Sequence, residues 1–432
     1  MQILLINSPF PVREGVTHLP LQVAYPAAVL EKEGFKVAVI DLAIENLSDE
    51  ALISRLKKIA PGLIVINSET TVLQTRDFCF ALKLLGKIKK DFKKIPVAMM
   101  GAHVTFRDIE VMERHKDIDF IIRYEADYVL KNLAKALENG SNLAKIKGIT
   151  LRKENKIIQN EEETPIKDLD VLPFPARHLF PVKRYIAKDY ETTVQGSRGC
   201  TNRCLFCQSS AMDRIIRFRS VPNLIKEIKE VLDMGFQSVF FGDYDFGVNE
   251  SRVKEFCQAV LKEKMNLRWS CNIRADRIKG DASGREMLRL MKKSGCYRVF
   301  IGFESISSQI LKNINKKVTP NGLIEAAKLL EEYGIALHAS FLFGLPGDTE
   351  DTIRATVKFA KKINPQMVSF NILTPFPGTP LGDEPEKYGI KLIDKYWYEK
   401  ISCSGKNISG NKKLSVRKLQ EMGKWAYKEF LS

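Results

Sequence analysis

At 432 residues the chain is long enough for two domains or one large one, and 44% hydrophobic content can build substantial cores. No run of about 18 apolar residues occurs, which excludes an apolar membrane-spanning helix, and eight cysteines in a chain this long do not make a disulfide framework. The formal net charge of +16 is spread as lysines along most predicted helices, so it implies a solvated surface and no specific nucleic-acid site.

Residues 1–140 alternate strand and helix. The opening run Met1–Asn7 lacks a basic leader or cleavage site, so it predicts a first strand rather than a signal peptide, and a cytoplasmic chain. Further strands are expected at 36–41, 62–67, 96–101 and 120–123. Helices are expected at 21–33 (ended by Gly34), 48–59 (capped by Ser48), 75–92 and 127–139. Five βα steps with apolar strands imply a Rossmann-like, doubly wound parallel sheet, whose ligands bind beyond the C-terminal strand ends. Those ends read Asn7-Ser8-Pro9, Asn67-Ser68-Glu69-Thr70-Thr71, Gly101-Ala102-His103-Val104-Thr105 and Tyr124-Glu125-Ala126-Asp127. The absence of G-x-G-x-x-G after the first strand weighs against a dinucleotide site.

Residues 141–189 form a connector. Segments 148–151 and 156–159 are expected to pair as a small hairpin. Pro173 and Pro175 flank Phe174 in a stiff, extended passage.

Alternation resumes at 190, with strands expected at 190–196, 237–242, 267–273, 297–303, 335–343 and 366–373. Helices are expected between them, near 222–234, 251–264, 284–293, 321–333 and 349–362. Six βα units are too few for an eight-stranded barrel. After the first of these strands, Gly196-Ser197-Arg198-Gly199 turns the backbone into Cys200-Thr201-Asn202-Arg203-Cys204-Leu205-Phe206-Cys207. Three thiolates on one loop can converge on one cluster. An electron-transfer iron–sulfur cluster and a structural zinc each take four ligands, so three leave one iron open for a substrate. Three packed core cysteines are the bland alternative, but Arg198, Asn202 and Arg203 suit no apolar core. A zinc knuckle lacks a nearby histidine or fourth cysteine. Cys79, Cys257, Cys271, Cys296 and Cys403 are scattered singly and are expected to be core thiols.

The C-x3-C-x2-C spacing resembles that of the radical S-adenosylmethionine (SAM) enzymes. The resemblance implies a [4Fe-4S] cluster on Cys200, Cys204 and Cys207, whose open iron chelates the methionine moiety of SAM. Reductive cleavage by an external one-electron donor such as flavodoxin or ferredoxin then yields a 5′-deoxyadenosyl radical. It also implies an open partial (β/α)6 barrel over 190–373. The successive strand ends carry the implied SAM contacts: Asp243 for the methionine amino group, Arg274 for its carboxylate, Glu304 for ribose or the amino group, and Gly344 and Pro346 of the G-L-P-G turn beside adenine. Residues 1–140 are similar to the cobalamin-binding domain that precedes many of these barrels. That similarity implies cobalamin contacts from Ser68, Glu69, Thr70, Gly101, His103, Thr105 and Glu125. Relatives often read G-G-x-H-x-T where this chain has Ala102, and the D-x-H-x-x-G signature of a histidine ligand to cobalt is absent.

Tyr244 and Tyr297 are candidates to supply a proton or hydrogen atom near a substrate radical, against a default of packing on the barrel wall. His338 is expected as a satisfied core histidine. The tail 374–432, with Trp397, Tyr398 and Trp425, is expected to close the open side. The function implied is a cobalamin-dependent radical SAM methyltransferase acting on an unactivated carbon of a small-molecule, lipid or peptide substrate. A cyclase or oxidoreductase with the same cofactors is the alternative. A methylthiotransferase would need a second cysteine triad, and a non-catalytic corrinoid carrier would need none.

Overall fold

The computed structural model describes residues 1–8, 18–68, 76–213, 215–400 and 408–432. It divides into two compact units, Met1–Thr193 with Tyr398–Ser404, and Val194–Trp397 with Gly405–Ser432.

The first unit is built on a seven-stranded sheet. Its five parallel strands run in the order Lys36–Asp41, Gln2–Asn7, Leu63–Asn67, Val97–Met100 and Phe120–Ile122. The central strands are apolar and fully buried, as strands covered by helices on both faces must be. The order reverses beside Gln2–Asn7, which makes the C-terminal ends there a switch point where ligands bind in this class of sheet. Register sets Asp41, Asn7 and Asn67 side by side at that end. Ser48 caps helix Asp49–Ile59 through the Ala51 N–H, as its position predicts.

The connector hairpin does not stand apart. Its strands, Ile149–Lys153 and Lys156–Gln159, add antiparallel to Phe120–Ile122 and extend the sheet. An uncovered parallel strand would present unpaired backbone groups, and the hairpin supplies their partners.

The second unit holds an open six-stranded sheet in the order Met367–Ile372, Ala336–Phe343, Cys296–Glu304, Arg268–Asn272, Ser238–Phe241 and Thr192–Val194. The five strands from Ser238 to Ile372 are parallel. Strand Ala336–Phe343 fully buries Leu337, Ala339, Phe341 and Phe343, while His338, Ser340 and Leu342 on its other face are half-buried. Helices return from each strand behind side-chain caps, among them Ser220, Asn249, Asp281, Thr319 and Thr349. Helix Val416–Leu431 covers the Met367–Ile372 edge strand, where the Phe370 N–H donates to Tyr427 Oη at 3.0 Å. Trp425 lies on this helix beneath the Arg354 guanidinium, 4.5 Å from ring centroid to Cζ. It therefore packs on the outer helix layer and does not close an open side. Among the described residues no helix is long and apolar enough to cross a membrane.

Candidate functional site

The cysteine loop leaves its strand through Ser197–Arg198, which pairs antiparallel with Arg217–Phe218. Gly199 has φ +93, and a Cβ there would collide with the Ile215 carbonyl, so glycine is required. Backbone ties then fix the loop at both ends. Cys200 N–H donates to Asp213 O at 3.0 Å, and Leu205 N–H to Ile314 O at 3.1 Å. Asn315 Nδ2 donates to Arg203 O at 2.8 Å, and the buried Gln208 Nε2 to Pro377 O at 2.8 Å.

Cys200, Cys204 and Cys207 are free thiols, Cys204 buried and the other two half-buried. Asn202 Nδ2 approaches Cys200 Sγ at 3.5 Å and Arg274 Nη1 approaches Cys204 Sγ at 3.9 Å. Burial pushes the Cys204 thiol up, and the Lys316 and Arg274 charges oppose that rise. Among the described residues no three His, Cys, Asp or Glu side chains are gathered to hold a single metal ion. A multi-iron cluster binds each thiolate at a different iron, so a three-thiol loop suits a cluster better than zinc. Cys257, Cys271 and Cys296 are buried free thiols, as expected. Cys79 is disulfide-bonded, which corrects its reading as a core thiol, and Cys403 lies outside the described residues.

A buried ionic network braces the turn before the first cysteine. Asp243 is 1% exposed, and its carboxylate accepts the Gly196 N–H at 2.8 Å and the Ser197 hydroxyl. Arg252 donates to the carbonyls of Gly196 and Arg219, both at 3.0 Å. Arg219 pairs with Glu227 and donates to Gln195 O at 3.1 Å. Each Asp243 oxygen thus accepts one hydrogen bond from the loop it faces, and Asp243 positions that loop.

Arg274 meets the cysteine loop at Cys204. Arg274 also donates to Asp276 at 2.8 Å and to Lys316 O at 2.7 Å. Glu304, at φ +60, accepts from Lys316 Nζ at 2.8 Å. At the end of the next strand, the Asp348 carboxylate accepts the N–H groups of Gly344 and Leu345 at 3.0 and 3.3 Å. Asn313 Nδ2 donates to Pro346 O at 2.8 Å, and Asn411 Nδ2 to Leu345 O at 3.1 Å. Burial pushes Asp348 up to about 6. The sequence reading missed Lys316, Asp348 and Asn411. Each looks like a loop or surface polar residue until its partner, distant in the chain for Lys316 and Asn411, is known.

Tyr244 is half-buried one residue past Asp243, at a C-terminal strand end. Tyr297 opens the strand that Glu304 closes. Seven residues at about 3.3 Å each put it roughly 20 Å from that end. Its ring packs under Arg268, 4.8 Å from the centroid, and its hydroxyl accepts from Arg298 at 3.2 Å, so its reading as a donor near substrate is corrected. His338 pairs through Nε2 with Ser369 Oγ at 2.7 Å while Nδ1 has no partner among the described residues, and burial pushes it down to about 4.

In the first unit the strand ends are mostly self-satisfied. Asn67 Nδ2 donates to Asn7 Oδ1 and Asn7 Nδ2 to Asp41 Oδ1, both at 2.9 Å, and Tyr185 donates to the other Asp41 oxygen. Ser68 Oγ donates to Met100 O at 2.9 Å. Thr105 Oγ1 donates to Gly101 O at 2.9 Å and accepts the Tyr124 N–H at 3.2 Å. Glu125 accepts the Ile166 N–H at 2.9 Å. Ser68, Thr105 and Glu125 thus each make a hydrogen bond that ties their strand end to the fold. Glu69 and Thr70 lie outside the described residues. Gly101, at φ +130, starts helix Ala102–Phe106, so Ala102 sits in a helical position that needs no glycine.

His103 is the exception. It is 2% exposed, stacked on Phe78 at 4.4 Å and against Tyr398 at 4.2 Å, and neither ring nitrogen has a partner among the described residues. Tyr398 is held there by its hydroxyl on Glu110, and the adjoining Glu399 by Arg114 at 2.7 Å and His115 at 3.0 Å. Burial pushes His103 down to about 3, so it is neutral, with one donor and one acceptor unmatched. Leaving buried polar groups unmatched costs about 1–3 kcal/mol each. A polar ligand at this strand end would remove that cost, so His103 fits a corrinoid with its amide and nucleotide groups.

The family model described as the radical SAM superfamily matches residues 194–360, and that of the B12 binding domain matches residues 13–134. An uncharacterized methyltransferase of Pyrococcus horikoshii is 32% identical over 390 residues, covering 88% of this chain and 82% of that one. The anaerobic magnesium-protoporphyrin IX monomethyl ester cyclase of Rubrivivax gelatinosus is 27% identical over 389 residues, covering 87% and 68%. The solved structure of the radical SAM methyltransferase TsrM from Kitasatospora setae, with cobalamin and a [4Fe-4S] cluster bound, has a TM-score of 0.75 at 19% identity. That match spans 90% of this chain and 77% of TsrM, and shows a shared fold.

Proposed function

Because the chain belongs to the radical SAM enzymes that carry a B12-binding domain, we propose that it is a methyltransferase that moves a methyl group from cobalamin to an unactivated carbon of a small molecule. The observation that carries the reading is the free-thiol loop with Arg274 on Cys204 and the Glu304–Lys316 pair beside it. When bound, the cluster, SAM and cobalamin supply a carbon-centred radical and a transferable methyl group.

The chain's own residues bind and orient these groups. Cys200, Cys204 and Cys207 would hold three irons of a [4Fe-4S] cluster. The Asp243–Arg252–Arg219–Glu227 network keeps the loop in register. Arg274 presents a planar cationic fork suited to a carboxylate, and Glu304 an acceptor suited to an amino or hydroxyl group. Asp348 fixes the Gly344–Pro346 turn in the shape that would line adenine. His103 would meet the corrinoid with Gly101, where the backbone lacks a Cβ. An external one-electron donor and a reducing cytoplasm suit a site of three free thiols.

The similarity to a cyclase supports a second reading, in which the same cofactors close a ring. Anaerobic reconstitution with iron, sulfide and hydroxocobalamin, then reduction in the presence of methyl-labelled SAM, separates the two. Label in the corrinoid fraction together with 5′-deoxyadenosine supports methyl transfer. 5′-Deoxyadenosine with an unlabelled corrinoid supports the cyclase reading, and a preparation that retains no cobalt sinks both.

A further inference from the structure

Lys316 is a buried lysine to which neither the cysteine motif nor the strand-end motifs assign a task. It is 8% exposed, whereas its neighbours Lys312 and Lys317 are exposed. Lysine is almost never buried without a partner, and here Nζ lies 2.8 Å from Glu304 Oε1. The backbone around this pair is unusual. Asn315 and Lys317, on either side of Lys316, have φ +54, and Glu304 has φ +60. Left-handed conformations at non-glycine residues are strained, and they persist where surrounding contacts over-determine them, often at functional sites.

Those contacts are on hand. Arg274 donates to the Lys316 carbonyl at 2.7 Å, and Asn315 and Ile314 are tied to the cysteine loop at Arg203 and Leu205. A Cβ on Gly302 would lie 2.9 Å from Lys316 Nζ and would strike the Glu304 carboxylate, so the strand leaves room for the pair. Lys316 Nζ also sits 5.8 Å from the Phe206 ring centroid, between the second and third cysteines of the loop. The cation of the pair therefore lies against the cysteine loop at Phe206.

We propose that Lys316 is a positioning residue that holds Glu304 in its left-handed conformation and sets a positive charge against the cysteine loop at Phe206, raising the reduction potential of the cluster on that loop. The proposal rests on the cluster reading above. The cluster takes one electron from the external donor and no bond changes in that step. A reduced cluster carries one more negative charge, which a neighbouring cation in a low-dielectric site favours.

Reconstituted full-length protein, titrated electrochemically with the reduced cluster followed by electron paramagnetic resonance, tests this. K316M is expected to keep its iron and show a more negative midpoint than wild type. K316R, which keeps the charge, is expected to stay near wild type, and E304Q, which removes the opposing charge, to move positive. A K316M midpoint equal to wild type at full iron content would overturn the proposal. If K316M fails to hold iron, E304Q decides, because a midpoint at or below wild type overturns it equally. Wild-type protein that takes up no iron would instead defeat the cluster reading itself.

Discussion

The ends of the two sheets treat buried polar groups in opposite ways. At the second sheet the cysteines keep free thiols while the charged residues around them are paired with one another: Asp243 with the loop backbone, Arg219 with Glu227, Lys316 with Glu304. At the first sheet Asn7, Asp41 and Asn67 bond across the strand ends, and His103 has both nitrogens unmatched among the described residues. A metal cluster needs several ligands held at fixed separations, so its loop must be braced before loading. A large cofactor bound by many weak contacts can be received by a few unsatisfied groups on an otherwise finished sheet.

The sharpest way to break this contrast is Cys204→Ala. It is expected to abolish iron uptake and 5′-deoxyadenosine formation while cobalamin still binds, read by iron analysis and the visible spectrum. Loss of both cofactors would mean the two sites are not independent.

Next in size is Arg219→Met, which leaves Glu227, 0% exposed, without its cation. Breaking a buried pair costs about 3–5 kcal/mol, so the urea midpoint should fall, and iron should be lost at lower denaturant than in wild type. An unchanged midpoint would show that the brace contributes nothing to stability.

Asp348 offers a pH test. Its folded pKa is raised by burial from 3.8 to about 6, so the folded state holds the proton more tightly than the unfolded one. Its contribution is fully present below about pH 4 and is lost as pH rises through about 6. At about 1.4 kcal/mol per unit, the wild-type stability should lose roughly 2–3 kcal/mol across that window through this group. Asp348→Asn should flatten that part of the pH–stability curve, and an Asn variant with the wild-type slope would refute the assignment.

The smallest expected effect is His103→Phe. Removing two unmatched nitrogens while keeping the ring between Phe78 and Tyr398 should stabilise the cobalamin-free protein by about 1 kcal/mol. The same change should weaken cobalamin binding about tenfold or more in a spectroscopic titration. A variant that binds as tightly as wild type would show that the histidine does not meet the cofactor.

The sequence alone determined the elements and the chemistry that local spacing encodes. Apolar period, side-chain caps and glycine positions act over a few residues. The strands of both sheets, the cap at Ser48, the turn at Gly199 and the three-thiol loop are therefore legible in the order of the residues themselves. The position of Tyr297 at the start of its strand is legible too, since Gly295, at φ +95, marks the turn before it.

Only the tertiary structure decided which polar residues are free and which are engaged. Nothing local distinguishes Lys316 from Lys317, yet one is buried on Glu304 and the other is exposed. Asp243 stands at a strand end, and only the fold shows that its oxygens accept from the Gly196 N–H and the Ser197 hydroxyl, 47 and 46 residues away. The connector hairpin joined the sheet because the Phe120–Ile122 strand had unpaired edge groups to satisfy. In each case the deciding term is desolvation. A charge or backbone group removed from water must find a partner wherever the fold brings one, and that partner is set by packing between segments far apart in the chain.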